Sequence, residues 1–403
     1  MKRLKRLVVA LIIIVLVTAG VGYIITQRGV PTLPPIAPFN NPPTITSRNP
    51  PEELLEIKEG DDLSFSISAD DPDGDPLSYT WYVDGNAVHK NSPEWMYSTD
   101  FGDGGEHKIE CKVSDGKGGI VTAEWTVIVH YVRLDVAFHS YNGWWDRGAR
   151  DRPVWKFKLE YIISNYGDIT AHDVRIVVKH DEETHTLSVG EIAVGGSVSV
   201  QTSTFIFEGL DGGTWYFEVS AESGVAHTTT TTSITIPAFP RSLHELVGKS
   251  REEVEHILKL YITPDDGMVE WRALGKSWIE IRDYVGKRIH YAYDDGEYWQ
   301  LPYETLERGY GDCEDQAFLL CSMLRAAGVK PTDVYVVLGE VGGEGHAWVA
   351  LKVIDIFGIE WWIRLEPTAG GLMESWYMDL ISTFQGRKVW AKFNDIYCEV
   401  YYP

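Results

Sequence analysis

The pattern of apolar and polar residues begins with an uncharged apolar run at residues 7–26, which four basic residues precede. As a helix this run would be about 30 Å long, which is the thickness of the hydrocarbon core of a bilayer. The positive charge before the run places the amino terminus in the cytoplasm and the remainder of the chain outside. Residues 1–28 are therefore predicted to be a single-pass membrane anchor; the alternative is a signal peptide cleaved at Val17-Thr18-Ala19.

Eight prolines between Pro31 and Pro51 follow the apolar run. Because proline removes an amide donor and restricts the backbone, residues 29–43 are predicted to form a stiff, extended linker. Short runs of alternating apolar and polar residues then continue to about residue 236, separated by turns rich in Gly and Asp. This pattern is typical of antiparallel β-sandwiches, and it predicts two of them, at residues 44–130 and 131–238.

Helical spacing of apolar residues replaces this alternation in residues 239–403 and predicts helices near residues 251–261, 268–289 and 313–326. Strand patterns follow the third helix. Helices followed by a sheet predict an α+β domain. The apolar faces of the first and third helices are predicted to contain Val254, Ile257, Leu258, Tyr261, Ala317, Leu320, Cys321 and Leu324.

Composition narrows the range of partners. The net charge is −23, and because four cations precede residue 7 the rest of the chain carries −27. Nucleic acid is not an expected partner, since its binding depends on clustered Lys and Arg. The four cysteines are too few and too scattered for a disulfide scaffold, and no CxxC pair suggests a zinc site. Cys111, Cys321 and Cys398 are interpreted as small buried residues within apolar patterns.

Cys313 differs from the other cysteines because Asp312, Glu314 and Asp315 surround it in the sequence. At the amino end of a helix, unpaired amides and the helix dipole stabilise a thiolate. The neighbouring carboxylates oppose this effect, because their negative charge raises the pKa of the thiol. A cationic group is therefore expected to assist Cys313.

His346 begins a predicted strand and Glu366 ends the next one. With a thiol at a helix start, they would form a nucleophile, a base and an orienting acid. A zinc site from the same three residues is the alternative, but it lacks the close ligand pairs typical of zinc sites. Trp299 and Gln300 are candidate oxyanion donors, and simple packing of their loop is an equal alternative.

Asp312 and Glu314 are also candidate calcium ligands, because a cation held by carboxylate oxygens would cancel the repulsion that opposes a thiolate. Asp294, Asp295 and Glu297 lie a short way upstream and add oxygen ligands. A solvated acidic face, or a helix cap at Asp312, is the alternative. No cofactor is required by the predicted chemistry, and calcium is the one candidate.

The stretch WQLPYETLERGYGDCEDQAFLLCSMLRAAGV, followed by GHAWV and LEPT, resembles the transglutaminase-like superfamily, and in particular the bacterial and archaeal transglutaminase-like cysteine proteinases. The resemblance covers residues 271–371 and implies a papain-like α+β domain over residues 239–403. It implies Cys313 as nucleophile, His346 as general base and acid, and Glu366 as the third member of a triad. Glu366 departs from the Asp that is usual in the family. Some related proteinases bind calcium beside the catalytic cysteine.

Both sandwiches resemble known modules. ADDPDGDPLSYTWYVDGN and VSDGKGG resemble polycystic-kidney-disease-type (PKD) and related immunoglobulin-like domains of secreted proteins. YIISNYGDITAHDVRIVV, followed by LSVGEIAVGGSVSV, resembles the adhesion-type (CARDB-like) sandwich domains of bacterial and archaeal surface proteins. DPDGD at residues 71–75 is interpreted as a turn, because the stretch lacks the final Glu of a calcium-binding EF-hand loop.

These features predict a membrane-anchored extracellular cysteine hydrolase or protease. It would act on amide bonds of proteins or peptides at the cell surface, through a thioester formed at Cys313. Hydrolysis is favoured because water needs no second binding site. Two alternatives stay open: a protein-glutamine transamidase that cross-links proteins, and a non-catalytic surface adhesion or scaffold protein. The surface-type modules, and the absence of a eukaryotic secretory layout, suggest a prokaryotic source, with an archaeon as the favoured one.

Overall fold

A computed structural model describes residues 39–293, 296–369, 374–377 and 387–401. The predicted anchor at residues 7–26 and the linker before residue 39 lie outside this part of the chain. No helix within it is long and apolar enough to cross a membrane. The chain divides into two compact units, residues 1–130 and 131–403, and each is described by itself.

The first unit contains an antiparallel sandwich with a three-stranded sheet, β1-β3-β6, and a five-stranded sheet, β2-β8-β7-β4-β5, in which β2 and β8 are parallel. Alternate residues of each strand point into a core where the rings of Phe65 and Trp125 lie 4.9 Å apart. Cys111 is fully buried in that core, as predicted. The strands are β1 Thr44–Asn49, β2 Leu54–Lys58, β3 Asp62–Asp70, β4 Ser78–Val83, β5 Asn86–Lys90, β6 Glu94–Ser98, β7 Gly105–Ser114 and β8 Ile120–His130.

The second unit begins with another sandwich. One sheet places β10 between β9 and the pair β13 and β14, and the other has the order β12-β11-β15-β16. Period-two alternation buries Phe157, Leu159, Tyr161 and Ile163 of β10 between the sheets. The strands are β9 Leu134–Arg147, β10 Pro153–Asn165, β11 Ala171–His180, β12 Glu183–Ile192, β13 Ser197–Gln201, β14 Phe205–Phe207, β15 Gly213–Ser223 and β16 Ala226–Ile236.

The carboxyl-terminal part of this unit is α+β. Its six-stranded antiparallel sheet has the order β22-β21-β20-β19-β23-β24, and helix α5 packs on β19 and β20. A short parallel pair, β17 and β18, joins the segments before α4 and α5. The elements are α1 Arg251–Leu260, α2 Gly267–Ala273, α3 Trp278–Arg288, β17 His290–Tyr291, α4 Pro302–Arg308, β18 Tyr310–Gly311, α5 Cys313–Ala326, β19 Val334–Val341, β20 Glu344–Ile354, β21 Glu360–Leu365, β22 Glu374–Tyr377, β23 Lys388–Phe393 and β24 Cys398–Val400.

The predicted apolar face of α1 is confirmed, because its four residues are buried. The four predicted residues of α5 are buried as well, but so is every residue from 315 to 324, so this part of the helix is buried on all sides. The single helix predicted at residues 268–289 is wrong. It is divided into α2 and α3 by Gly275, which adopts a left-handed conformation with φ +71°. Ser277 then caps α3 by accepting a hydrogen bond from the backbone N–H of Glu280.

The second sandwich and the α+β part share a core. The ring of Trp145 in β9 lies 5.0 Å from that of Phe239, and both residues are buried with the side chains of α1. Two residues later, Arg147 donates a hydrogen bond of 2.9 Å to the carbonyl oxygen of Ile262. The core therefore continues across residue 239, where the sequence changes its pattern.

Candidate active site

Cys313 is the first residue of α5, so its backbone lies at the positive end of the helix dipole. The helix start is held by Asp315, which is fully buried and accepts a hydrogen bond of 3.3 Å from the backbone N–H of Asp312. Gly311 makes room for this carboxylate, because a Cβ atom there would lie 2.6 Å from Cβ of Asp315.

His346 lies near the start of β20, and Glu366 directly follows β21, the neighbouring strand. Nε2 of His346 and Oε2 of Glu366 are 2.7 Å apart. Arg364 shares the strand face of Glu366, and its Nε atom lies 2.7 Å from Oε1 of the same carboxylate. A carboxylate paired with a guanidinium accepts hydrogen bonds, so Nε2 of His346 is the donor and Nδ1 is left as the basic nitrogen.

Cys313 adjoins this histidine through the next residue of β20. The backbone N–H of Ala347 donates a hydrogen bond to the sulfur of Cys313, which favours the thiolate. The structure therefore brings Cys313, His346 and Glu366 to one end of the sheet. The longer side chain of Glu366 reaches the imidazole at hydrogen-bonding distance.

Burial and neighbouring charges disfavour the thiolate form of Cys313. Burial, and then the neighbouring charge of Glu314, raise the pKa of Cys313 well above that of an ordinary thiol. The thiol donates a hydrogen bond to Oε2 of Glu314 over 3.1 Å. Burial and the charge of Asp312 in turn raise the pKa of Glu314 to about 8. The site thus holds a protonated thiol at neutral pH, and a base must remove its proton before attack.

The two candidate oxyanion donors lie in different surroundings. The indole of Trp299 is buried, with its ring centre 5.4 Å from Tyr261 and 5.6 Å from Phe318, so packing accounts for it. Gln300 is 1% exposed, and its backbone N–H donates a hydrogen bond of 2.7 Å to Asp315. This bond fixes the Gln300 loop to the start of α5. Within the described residues, the side-chain oxygen of Gln300 has no hydrogen-bond partner.

The carboxylates beside Cys313 bear on the predicted calcium site. Calcium takes six to eight oxygen ligands. Asp312 and Glu314 supply two carboxylates, and no third Asp, Glu, His or Cys among the described residues completes a cluster with them. Asp294 and Asp295 lie outside the described residues. Calcium binding at Cys313 therefore stays a prediction.

An acidic cluster does exist in the first unit, at the turn formed by DPDGD. Carboxylate oxygens of Asp71, Asp73 and Asp75 lie within 4.8 Å of one another. Asp71 accepts hydrogen bonds from the backbone N–H groups of Asp73 and Asp75, as in a polar turn, and Lys117 pairs with Asp75. The turn geometry and this lysine account for the cluster.

Two residues of the site escaped assignment from the sequence, Arg364 and Asp315. Arg364 stands two positions before Glu366, so the period of a strand places both on one face, and this signal could have been used. The bond from Asp315 to Gln300 joins residues that are 15 positions apart, and no periodicity indicates it.

Two segments of the chain match models of known protein families. Residues 274–367 match the model of the transglutaminase-like superfamily, and residues 40–128 match that of a bacterial immunoglobulin domain. No curated protein matches the chain.

Solved structures show only weak similarity. LapG of Legionella pneumophila is 15% identical over 38% of this chain and 81% of its own, with a TM-score of 0.26. Fibronectin(III)-like modules of CbhA from Clostridium thermocellum are 12% identical over 49% of this chain and 94% of theirs, with a TM-score of 0.19. These values do not bear on function. From the two family models, the chain contains a domain of the transglutaminase-like superfamily, and a bacterial immunoglobulin-like domain precedes it.

Proposed function

We propose that this protein is a cysteine peptidase of the transglutaminase-like type that hydrolyses amide bonds of proteins or peptides. One observation carries the proposal: His346 is hydrogen-bonded to Glu366 over 2.7 Å, while the next residue, Ala347, bonds the sulfur at the start of α5. A thiol, an imidazole and an orienting carboxylate are the parts of a nucleophilic triad.

In the proposed reaction His346 accepts the thiol proton at Nδ1, and the sulfur of Cys313 attacks the amide carbonyl carbon. Glu366 accepts the hydrogen bond from Nε2 and stabilises the imidazolium that forms. The proton then passes from His346 to the leaving amine, and the C–N bond breaks to leave a thioester on Cys313. Water, deprotonated by His346, hydrolyses the thioester and restores the thiol. Gln300 is the candidate donor to the oxyanion.

The raised pKa of the thiol favours a mechanism in which proton removal accompanies attack. Burial and Glu314 hold the proton on Cys313, so a preformed ion pair with His346 is not required by this route. A cation beside Glu314 would lower the barrier. Calcium dependence stays a prediction, because Asp312 and Glu314 alone are too few ligands.

The decisive experiment is Cys313-dependent cleavage. The full-length protein is incubated with a mixture of denatured proteins, and new amino termini are identified by mass spectrometry. We expect Cys313→Ser to reduce cleavage by at least about 1,000-fold. Cys398→Ser, a partly buried cysteine outside the site, is the matched control and should leave cleavage intact. No difference between the wild type and Cys313→Ser would reject the peptidase.

The same incubation separates the alternatives. A labelled primary amine is added, and its incorporation into protein glutamines would identify a transamidase that cross-links proteins. If neither cleavage nor incorporation occurs, a surface adhesion or scaffold role is favoured, and Cys313→Ala should then leave the binding of a partner unchanged.

We also propose that the protein is held in the cell membrane by residues 7–26, with its body outside. The support is the length and charge pattern of that segment. The full chain is expected in the membrane fraction, released by detergent and not by salt, whereas a chain lacking residues 1–28 should be soluble. External protease should degrade the body of the protein in intact cells.

A further inference from the structure

We propose that an apolar pocket beside Cys313 binds an apolar side chain of the substrate, of the size of leucine or methionine, next to the scissile bond. This inference rests on the proposed peptidase function and extends it to a class of substrate. The pocket has a volume of about 220 Å³, and every side chain that lines it is apolar. Its walls include Leu243, Leu258, Leu338, Trp390 and Ala391.

Two of these walls adjoin the residues on either side of His346. Leu338 of β19 is paired in register with Ala347 of β20, whose N–H bonds the sulfur of Cys313. The ring of Trp390 lies against Gly345, where an added Cβ atom would be 3.3 Å from the ring. One wall therefore adjoins the residue that contacts the nucleophile.

Gly345 and Ala347 lie on the same face of β20, because they are two residues apart in a strand. Ala347 is buried in the core that contains α5, so this is the face on which Cys313 lies. At these two positions β20 carries no side chain larger than a methyl group, so no long side chain of this strand separates Cys313 from the walls formed by Leu338 and Trp390. A peptide bond held at Cys313 thus has a neighbouring side chain within reach of the pocket.

The pocket is open at the surface. Val247 forms part of its lining and is 71% exposed. An open apolar hollow is wetted in the free protein, and an apolar group that displaces this water gains free energy. A charged side chain would find no polar partner there and would lose its hydration.

The volume of the pocket suits a single side chain and not a whole small molecule. Pockets for whole small-molecule ligands are usually about 300–1,000 Å³, so about 220 Å³ suits a smaller group. In hydrophobic pockets of this kind, each missing methylene costs about 10- to 200-fold in specificity. We therefore expect leucine or methionine to be preferred over glycine by at least about 100-fold in kcat/KM.

The test uses the full-length protein and a library of peptides made by digesting a proteome, with cleavage sites identified by mass spectrometry. Wild-type cleavage sites should be enriched in Leu and Met at one fixed position. Ala391→Val partly fills the pocket and should shift this preference to Ala and Gly. Trp390→Ala enlarges the pocket and should shift it to Phe.

Ala350→Val is the matched control, because Ala350 is also buried in this sheet but belongs to the cluster with Trp348 and Val337. This variant should keep the wild-type preference. Melting temperatures identify variants that fail to fold, and the two pocket variants act in opposite directions, so one folded variant suffices.

The results distinguish a failure of the pocket proposal from a failure of the peptidase proposal. Cys313-dependent cleavage without an apolar preference, or with a preference that a folded pocket variant leaves unchanged, would overturn the pocket and leave the peptidase standing. A library with no Cys313-dependent cleavage would overturn both.

Discussion

At the scale of single residues, the candidate site combines an imidazole oriented by a carboxylate with a thiol that keeps its proton. Glu366 holds His346 on one side, whereas Glu314 holds the proton of Cys313 on the other. Both glutamates contact their partners through one carboxylate oxygen. Their opposite effects on the proton of Cys313 can be separated by substitution.

Glu366→Asp would introduce the residue that the family usually has, yet we expect it to be harmful here. The carboxylate now lies 2.7 Å from Nε2 of His346, and shortening the side chain withdraws it by more than 1 Å. A misplacement of about 1 Å costs about 100-fold in rate. The measurement is kcat/KM on a cleaved peptide, with melting temperature as the check on folding. Activity equal to that of the wild type would show that the backbone adjusts freely at this position.

Glu314 should make stability depend on pH. Its pKa is raised from 4.5 to about 8, so between these values the folded state keeps a proton that the unfolded state has lost. The free energy of unfolding is then highest below the ordinary pKa and falls by roughly 1 kcal/mol per pH unit as pH rises through this window.

Urea denaturation of the wild type and Glu314→Gln, in EDTA, measures this effect. The glutamine keeps the shape of the side chain and cannot ionise, so its curve should lack the decline. Parallel curves for the two proteins would contradict the buried, protonated carboxyl.

At the scale of secondary structure elements, the sequence predicted what depends on periodicity. The buried face of α1 and the sandwich strands follow from spacings of 3.6 and 2 residues, whereas residues 315–324 of α5 are buried on all sides. The break at Gly275 was missed because apolar spacing continues across it, although Gly followed by a Ser cap was present as a signal. Helix α4 is only seven residues long, too short for periodicity to distinguish it from a loop.

The candidate site also contains features that the sequence predicts and features that it does not. The predicted position of Cys313 at the start of a helix is confirmed, while the roles of the triad stay predictions. The pair of hydrogen bonds that Asp315 accepts from the backbone N–H groups of Asp312 and Gln300, here called the Asp315 clamp, could not be predicted. It depends on how two loops meet in space. Its importance can nevertheless be measured.

Asp315→Ala should destabilise the start of α5. Asp315 is fully buried and accepts hydrogen bonds from the N–H groups of Asp312 and Gln300. Removing the acceptor leaves two buried donors unpaired, at a cost of about 1–3 kcal/mol each. Urea denaturation monitored by circular dichroism gives the loss, and Glu307→Ala at an exposed site is the control. If both variants unfold at the same urea concentration, the clamp does not contribute to stability.

At the scale of the whole molecule, the second sandwich is more than a spacer. Arg152 forms an ion pair of 2.9 Å with Asp266, which is fully buried, and Trp145 lies in the core with α1. Residues 131–403 therefore form one compact unit, and side chains of the second sandwich form part of the core of the α+β part.

Trp145→Ala should destabilise that unit by about 3–5 kcal/mol, as expected for a large buried aromatic residue. Trp144→Ala is the matched control, because the preceding tryptophan is 36% exposed. Calorimetry of the full chain should show a lower melting temperature for the first variant alone, together with loss of peptide cleavage on heating. Equal melting temperatures would mean that the sandwich and the α+β part unfold independently.

The surroundings of the cysteines have a consequence for their oxidation: Cys111 and Cys321 are buried, whereas Cys313 and Cys398 are partly buried. All four thiols are free, and burial raises the pKa of each one. The thiolate is the form that attacks disulfides and oxidants, so thiols that stay protonated are oxidised slowly. In the proposed reaction, the proton that opposes attack by Cys313 is also the one that protects its sulfur from oxidation.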